Sequence, residues 1–471
     1  MTVNGSETAG RGKGGGLAIL AIAQFLIALD YSIVYVALPS VGADLGLDES
    51  TLQWVVSAYA VFFAGFLVVG GRACDRLGAR ALFISSLVLF GVASLVGGLA
   101  TQAAPLLIAR AAQGVAAAVL QPATLALINT SFRAGPERNR ALAVWGTVGA
   151  SGLAAGVIIG GLLTTASWRW VFFINLPLTI ICAAAAPRLL AAPRGGTRRT
   201  PLNVPSAVLC TGAVLGLALA LTWAAEAGWT AVTTLAGFGT GVVLLVWFVL
   251  WERRSVQPLV DPVLRRTRSL VVGCGAAALY MASVGNEFFV VTLLLQQDRG
   301  YSPLQAGLAF LPLALAITAG NTVAGRLAGP LGVRKTLTLA FAIDALGLLL
   351  LALQIHGDGY LVHLLPGLLI SGLGHGMTFT SMFIAGTADI DDHNQGVGSA
   401  LMTTAQYISG ALGVAVLVLV LGPNPDDQRF FWAFITTAAA AAAGVLLAWF
   451  GLARSRARAA SPVPEASSAR A

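Results

Sequence analysis

The chain has 471 residues, of which 57% are hydrophobic and 10% charged, and its mean hydropathy is +0.82. These values exclude an ordinary soluble domain, in which about 25% of residues are charged. The formal net charge of +8 could indicate nucleic-acid binding, but the basic residues flank long apolar runs, as they do in membrane proteins. Four cysteines occur singly, at positions 74, 182, 210 and 274, a spacing that indicates neither a zinc site nor a disulfide framework.

Apolar runs bounded by charged residues, proline or glycine follow one another along the chain. Because a bilayer core about 30 Å thick needs roughly 20 apolar residues per helix, each run predicts one membrane span. The fourteen predicted spans are residues 17–40, 52–70, 81–100, 105–130, 140–163, 168–190, 203–223, 232–251, 269–294, 303–325, 336–355, 360–386, 396–421 and 428–452. The first run is too long for a signal peptide, so we expect it to be retained as a span.

Basic residues are distributed unequally between the alternate connections. With the N-terminus in the cytoplasm, 24 of the 28 Lys and Arg residues fall on the cytoplasmic side, three fall outside and one, Arg110, lies in a span. This excess follows the positive-inside rule and predicts that both termini are cytoplasmic. The preference for Arg over Lys, with abundant Ala and Gly, suggests a bacterial source, so we expect a multi-pass protein of the bacterial plasma membrane.

One loop sequence occurs twice. Gly71–Arg80, between spans 2 and 3, aligns without gaps to Gly325–Arg334, between spans 10 and 11, with five of ten positions identical. Equivalent loops eight spans apart predict two related six-helix bundles, at 17–192 and 269–452. The segment 193–268 is then an inserted helix pair, and 1–16 and 453–471 are cytoplasmic tails. The predicted fold is an all-α polytopic membrane protein of fourteen helices.

Several local motifs resemble those of one transporter family. They are Leu29–Pro39, Gln53–Tyr59, Gly71–Arg80, Arg110–Gly114, Trp168–Pro177, Gly300–Gly307 and Asn394–Leu401. Over nearly its whole length the sequence resembles the major facilitator superfamily, specifically its fourteen-helix drug:proton antiporter branch. The resemblance implies alternating access around a central cavity, with the proton gradient as driving force and no bound cofactor.

The loop between spans 2 and 3 is expected to form part of a cytoplasmic gate. Its glycines permit a tight turn and close helix approach, its aspartate can face a helix N-terminus or an arginine, and its arginines are expected to anchor at the inner leaflet. A purely topogenic basic patch is the alternative. The motif residues are Gly71, Arg72, Asp75, Arg76, Gly78 and Arg80.

Ionisable residues inside apolar spans are the predicted proton-coupling residues. Asp30 lies mid-span, where an unpaired charge costs about 2.5–3.5 kcal/mol on insertion scales; a helix-packing hydrogen bond is the alternative. Arg110 acts as a fixed positive charge, with Asp30 or a backbone carbonyl as partner, in a coupling or a structural pair. Glu287, in the span that opens the second bundle, is either functional or packed and protonated. Asp344 is a third titrating site or an interhelical hydrogen bond.

A glycine stripe in span 5 resembles the antiport motif of the same branch. Three- and four-residue spacings place small residues on one face for close helix crossing. The motif glycines are Gly152, Gly156, Gly160 and Gly161. The proline usual in this motif is absent, because Val157 follows Gly156, and this departure leaves the direction of transport open.

A substrate cavity is expected between the bundles, where aromatic rings can stack on apolar or cationic cargo. His375 could shuttle protons or could be a packing contact. The candidate cavity residues are Gln113, Tyr280, Asn286, Phe288, His375 and Phe379.

The function predicted from the sequence is proton-coupled export of drugs, antibiotics or a secondary metabolite. The alternatives are transport of one specific metabolite and a non-transporting receptor on the same fold. No Walker phosphate loop or catalytic nucleophile constellation occurs in the sequence, so ATP-driven transport and enzymatic activity are not expected. The expected partners are a small molecule, protons and lipid, without nucleic acid, metal or an obligate protein partner.

Overall fold

The computed structural model describes residues 5–190, 203–255, 257–301, 303–357, 359–422 and 425–452. Within these ranges every regular element is helical. The predicted tail 453–471 and most of the connection 191–202 lie outside the described residues. The α-helices are α1 (Gly5–Leu45), α2 (Glu49–Leu77), α3 (Ala79–Gly98), α4 (Ala103–Ser131), α5 (Pro136–Ala166), α6 (Trp170–Phe173), α7 (Asn175–Leu189), α8 (Val204–Ala227), α9 (Val232–Arg254), α10 (Pro262–Arg266), α11 (Arg268–Leu293), α12 (Pro303–Ala309), α13 (Leu311–Leu327), α14 (Val333–Leu353), α15 (Leu365–Gly386), α16 (Gln395–Leu421) and α17 (Asp427–Gly451).

The helices correspond closely to the predicted spans. Thirteen stretches of the described chain are long and apolar enough to cross a membrane. The 31-residue helix α5 covers the remaining predicted span, the fifth, although it is not among these thirteen. The sixth span is formed by α6 and α7 together, and the tenth by α12 and α13. Helix α1 begins at Gly5, so it extends into the segment 1–16 that the sequence predicts as a tail.

The two halves of the chain have the same internal packing. In the first half, α1 packs against α4, α5 and α7, α2 against α4, and α3 against α4 and α7. In the second half, α11 packs against α15, α16 and α17, α13 against α15, and α14 against α15 and α17. Each pair of the first half thus has its counterpart in the second. The packing agrees with the relation between the halves that the repeated loop predicts.

The halves meet through α2 against α16 and α5 against α13. The inserted helices α8 and α9 pack on each other, and α8 also packs on α2, so the insertion lies beside the first half. The residue boundaries assigned to these parts from the sequence stay a prediction.

The loop Gly71–Arg80 joins the halves at one end of the bundle, which we call the basic end. Asp75 Oδ1 accepts a hydrogen bond from Gly396 N at 2.8 Å, and its Oδ2 accepts one from Val397 N at 2.9 Å. Asp75 therefore faces the N-terminus of α16, one of the two partners expected for it. Gly71 lies so close to Gly396 that a side chain would collide with its carbonyl, and Gly78 turns the chain with a φ of 98°.

Hydrogen bonds and ring contacts join the halves from the basic end to the middle of the bundle. Near the basic end, Asn129 Nδ2 donates to Gln395 Oε1 at 3.0 Å. In the middle of the bundle, Phe63 meets Tyr407, with ring centroids 4.8 Å apart. One turn of α1 beyond Tyr31, Tyr35 is 47% exposed. The polar bonds between the halves are therefore found at the basic end.

The glycine stripe of α5 provides the crossing with α1. A Cβ at Gly152 would lie 2.7 Å from Phe25 O, and one at Gly156 would collide with the Ser32 hydroxyl and lie 2.9 Å from Leu29 O. Gly160 approaches Ile33 in the same way. The prediction for Gly161 is wrong, because a Cβ there meets nothing within 4 Å. Successive helical residues point about 100° apart, so Gly160 and Gly161 cannot both face α1.

This crossing generates a stability prediction. Gly156→Ala forces a methyl group against the backbone of α1, and we expect it to lower the free energy of unfolding by about 1–3 kcal/mol, as overpacking does. The matched control is Gly161→Ala on the same helix, which we expect to be nearly neutral. Thermal unfolding of the purified proteins, followed by tryptophan fluorescence, measures both; equal melting temperatures for the two variants would contradict the assignment of the crossing.

Candidate functional site

A buried cluster in the first half is centred on Asp30 of α1. Its Oδ2 accepts a hydrogen bond from Arg110 Nη1 at 2.7 Å. Its Oδ1 accepts from Gln113 Nε2 at 3.0 Å and from Asn175 Nδ2 at 2.7 Å. Gln113 also donates to Ser94 Oγ at 2.9 Å. Helices α1, α3, α4 and α7 each contribute to this network, and none of its five side chains is more than 1% exposed.

Arg110 is fully engaged within the first half. Its Nη1 also donates to Gln113 Oε1 at 2.9 Å, and its Nε donates to Val55 O at 2.9 Å. The guanidinium carbon lies 4.6 Å from the centroid of the Tyr59 ring, a cation–π arrangement. Arg110 therefore has both partners that the sequence offered as alternatives, the Asp30 carboxylate and a backbone carbonyl.

A second buried cluster lies in the second half. His375 Nε2 is 2.7 Å from Asp344 Oδ1 and 3.2 Å from Glu287 Oε2. Ser283 Oγ donates to Asp344 Oδ2 at 3.0 Å, and Ser371 Oγ donates to Glu287 Oε1 at 2.7 Å. All five side chains are fully buried. The structure thus joins two predicted coupling acids to a histidine for which the sequence left shuttle and packing roles open.

The two clusters occupy equivalent helices. Asp30 and Arg110 join α1 to α4, while Glu287 and His375 join α11 to α15, the counterparts of α1 and α4. Their charge balance differs, because the first cluster has one acid and one base and the second has two acids and one base. Within the described residues no group of His, Cys, Asp and Glu side chains has metal-binding geometry.

Three predicted cavity residues come together at the boundary between the halves. Tyr280 lies edge-on to His375, with ring centroids 6.3 Å apart, and its centroid is 5.7 Å from that of Phe379. Phe379 stacks on Trp145 of α5 at 5.6 Å. Trp145 is fully buried between the halves and was not predicted as a site residue.

The other three predicted cavity residues lie elsewhere. Gln113 belongs to the Asp30 network. Asn286 donates to Ala282 O at 2.6 Å and packs against α16 at Gly413. Phe288 stacks on Phe310 within the second half, with centroids 5.0 Å apart. The structure does not bring these three residues together with Tyr280, His375 and Phe379, because they point to different neighbours around their helices.

Sequence reasoning missed a series of aromatic rings in the middle of the bundle. Tyr31 contacts Tyr59 with centroids 6.4 Å apart, Tyr59 stacks on Phe63 at 5.9 Å, and Phe63 meets Tyr407 across the halves. Tyr31 and Tyr407 are half-buried, and Tyr35, one turn beyond Tyr31, is exposed. The four-residue spacings in α1 and α2, next to Asp30, were the available signal.

Two arginines of the loop Gly71–Arg80, Arg72 and Arg80, donate hydrogen bonds to other parts of the protein. Arg72 is 8% exposed; its Nη1 donates to Asn394 Oδ1 and its Nη2 to Pro258 O, both at 3.1 Å. Arg80 Nη2 donates to Pro187 O at 2.6 Å. The expectation that Arg72 anchors at the lipid surface is wrong, because the connection between α9 and α10 covers it.

The Asp30–Arg110 pair generates a stability prediction. Asp30→Asn leaves the guanidinium buried without a counter-charge, and we expect a loss of about 3–5 kcal/mol in the free energy of unfolding. The double variant Asp30→Asn/Arg110→Gln removes both charges and should regain most of this loss. Thermal unfolding and the yield of monodisperse protein measure the effect. If the single variant is as stable as the wild type, the pair does not contribute as described.

Sequence and structure comparisons show which known proteins the chain is similar to. A family model described as Major Facilitator Superfamily matches residues 20–209 and 202–414. The chain is 39% identical over 412 residues to the puromycin resistance protein pur8 of Streptomyces alboniger, covering 85% of this chain and 80% of that protein. It is 38% identical over 419 residues to the cephamycin export protein CmcT of Amycolatopsis lactamdurans, covering 88% and 86%. Its fold is similar to that of the human organic anion transporter MFSD10 (TETRAN), with a TM-score of 0.66, 17% identity and coverage of 93% and 99%.

Proposed function

The chain belongs to the Major Facilitator Superfamily, and from this membership we propose that it exports small organic molecules in exchange for protons. It is a multi-pass membrane transporter and not an enzyme. The observation that carries the proposal is a pair of buried ionisable clusters, on equivalent helices of two similarly packed halves. The names of the similar resistance and export proteins support an antibiotic-like cargo.

Alternating access is supported by the distribution of contacts between the halves. The bonds of Arg72, Asp75 and Asn129 join the halves at the basic end, and in our proposal the opposite end is the open one in this state. Breaking these bonds and closing the opposite end would convert one access state into the other by movement of two similar bundles. The clusters lie inside the bundles, so their charge state can bias this equilibrium.

The orientation follows from the basic residues. We place the protein in the plasma membrane of a bacterium with both termini and the basic end in the cytoplasm, so that the described state faces outward. Protons then enter from the open side. Movement of one proton inward across about 100 mV provides about 2.3 kcal/mol, enough for more than tenfold accumulation of a neutral cargo outside. No bound cofactor is required in this scheme.

The cargo class follows from the lining of the cleft. The rings of Tyr31, Tyr35 and Tyr407 offer stacking surfaces for flat or cationic organic molecules, and the Asp30 charge beside them is already balanced by Arg110. Transport of one specific metabolite would use the same surfaces, and a non-transporting receptor would have no use for two buried ionisable clusters.

Proton exchange is tested in everted vesicles with a preformed pH gradient, to which puromycin, a cephamycin or ethidium is added. We expect each transported compound to dissipate the gradient with the wild type, and Glu287→Gln to abolish this effect because it removes a buried proton acceptor. The matched control is Asp427→Asn, which removes a half-exposed carboxylate paired with His356 in the same half. Response to one compound alone would favour a specific transporter, and no proton movement with any compound would refute proton-coupled export.

The gate is tested by the accessibility of position 395, which is buried between the halves. In a protein without native cysteines, Gln395→Cys reports opening of the basic end through its rate of alkylation by N-ethylmaleimide. Asp75→Ala removes both hydrogen bonds from the N-terminus of α16, an interaction of about 0.5–2 kcal/mol, so we expect alkylation to become about 2- to 30-fold faster. Asp48→Ala, which removes a cap within the first half, should leave the rate unchanged; equal rates in both variants would contradict the gate.

A further inference from the structure

The two buried clusters differ in how completely their carboxylate oxygens are satisfied. In the first cluster both oxygens of Asp30 accept hydrogen bonds, from Arg110, Gln113 and Asn175. The one negative charge is matched by the one guanidinium, which keeps its proton at any physiological pH. This cluster is therefore charge-balanced, and both oxygens of its carboxylate are hydrogen-bonded.

The second cluster has one donor too few. Glu287 Oε1 and Asp344 Oδ2 accept from serine hydroxyls. The remaining oxygens, Glu287 Oε2 and Asp344 Oδ1, face the same nitrogen of His375, at 3.2 and 2.7 Å. Neither makes a well-aligned hydrogen bond to another group among the described residues, and a single N–H can be donated to only one of them at a time.

No other charge of the described helices compensates for the second acid. Three titratable groups face Glu287 or its partners: Asp344 of α14, and His375 of α15 with Tyr280 beside it. Helices α16 and α17, which also pack on α11, have no acidic or basic residue within 395–421 or 430–451. Since two carboxylates beside one imidazolium carry an excess negative charge in a low-dielectric interior, one carboxyl favours its protonated form.

We infer that Glu287 binds the proton that is exchanged for cargo, and that Asp30 and Arg110 form a charge-balanced positioning pair. This inference rests on the proposed function and assigns its proton site. His375 Nε2 lies nearer to Asp344 Oδ1 than to Glu287 Oε2, at 2.7 against 3.2 Å. Its positive charge therefore offsets Asp344 more strongly, and the exchangeable proton belongs to Glu287. When this proton leaves, Glu287 competes with Asp344 for the same N–H, so the packing of α11 against α14 and α15 depends on the occupancy of the site.

Infrared spectroscopy of the full chain in lipid nanodiscs tests this assignment with the proton as the only ligand. The difference between wild-type and Glu287→Gln spectra is recorded as the pH is raised, so that carboxyls common to both proteins cancel. We expect one protonated-carboxyl band that disappears on alkalinisation. Asp344→Asn should move its disappearance to lower pH, because a like charge is lost while His375 remains. His375→Gln should move it to higher pH, because the neighbouring positive charge is lost.

The double variant Asp30→Asn/Arg110→Gln distinguishes the two clusters. We expect it to keep the band at its wild-type pH, although its rate of export falls because the first half is altered. The assignment would be overturned if the spectra of Glu287→Gln kept the pH-dependent carboxyl band of the wild type while the spectra of the double variant lost it. It would also be overturned if Asp344→Asn moved the band to higher pH and His375→Gln moved it to lower pH. Because no cargo is added, a wild-type band together with vesicles in which no compound moves protons would refute the proposed function and not the proton site.

Discussion

A charge inside a hydrocarbon layer must find a partner within the protein, and this constraint organises the interior of the molecule. Asp30, Arg110, Glu287, Asp344 and His375 are all buried, and each has an oppositely charged group or a set of amides and hydroxyls around it. Each of the five has at least one partner on a different helix. Electrostatic pairing therefore fixes the rotation of α1, α4, α11, α14 and α15 about their axes, which apolar packing in lipid would leave weakly defined.

Close helix approach is the second organising feature. Gly152 and Gly156 let α5 cross α1 at backbone distance, and Gly71 brings α2 against Gly396 of α16. The first contact is inside one half, and the second is between the halves. Close approach at glycine thus stabilises the first half in one place and the junction between the halves in another, and the two places differ in the bonds around them. Around Gly71 the bonds between the halves are few, polar and confined to the basic end.

How much could be predicted depends on whether a residue's neighbour is local or distant. The spans, the repeat and the loop motifs follow from local hydropathy and from the charged, proline and glycine residues that bound each apolar run. The pairing of Asp30 with Arg110 follows because each is a lone charge in an apolar span. The grouping of Glu287, Asp344 and His375 depends on how three helices are rotated about their axes. These helices are apolar on all sides, so the sequence carried no signal for that rotation.

The role of Gly161 was wrongly predicted for the same reason. The position of Arg72 was wrongly predicted because the segment that buries it lies far along the chain. Tyr31 and Tyr407 were missed because aromatic residues are equally common facing lipid.

The bonds of Arg72 have a consequence for the junction between the two halves at the basic end. Its guanidinium holds Asn394 of the second half and Pro258 of the connection after α9 at the same time, and that connection is held in turn by Glu252, whose carboxylate accepts from Leu259 N and Val260 N. Release of Arg72 therefore detaches two segments in one event, and partial detachment of either leaves a buried cation poorly bonded. The inserted helix pair is therefore bonded, through this connection, to the same arginine that joins the two halves.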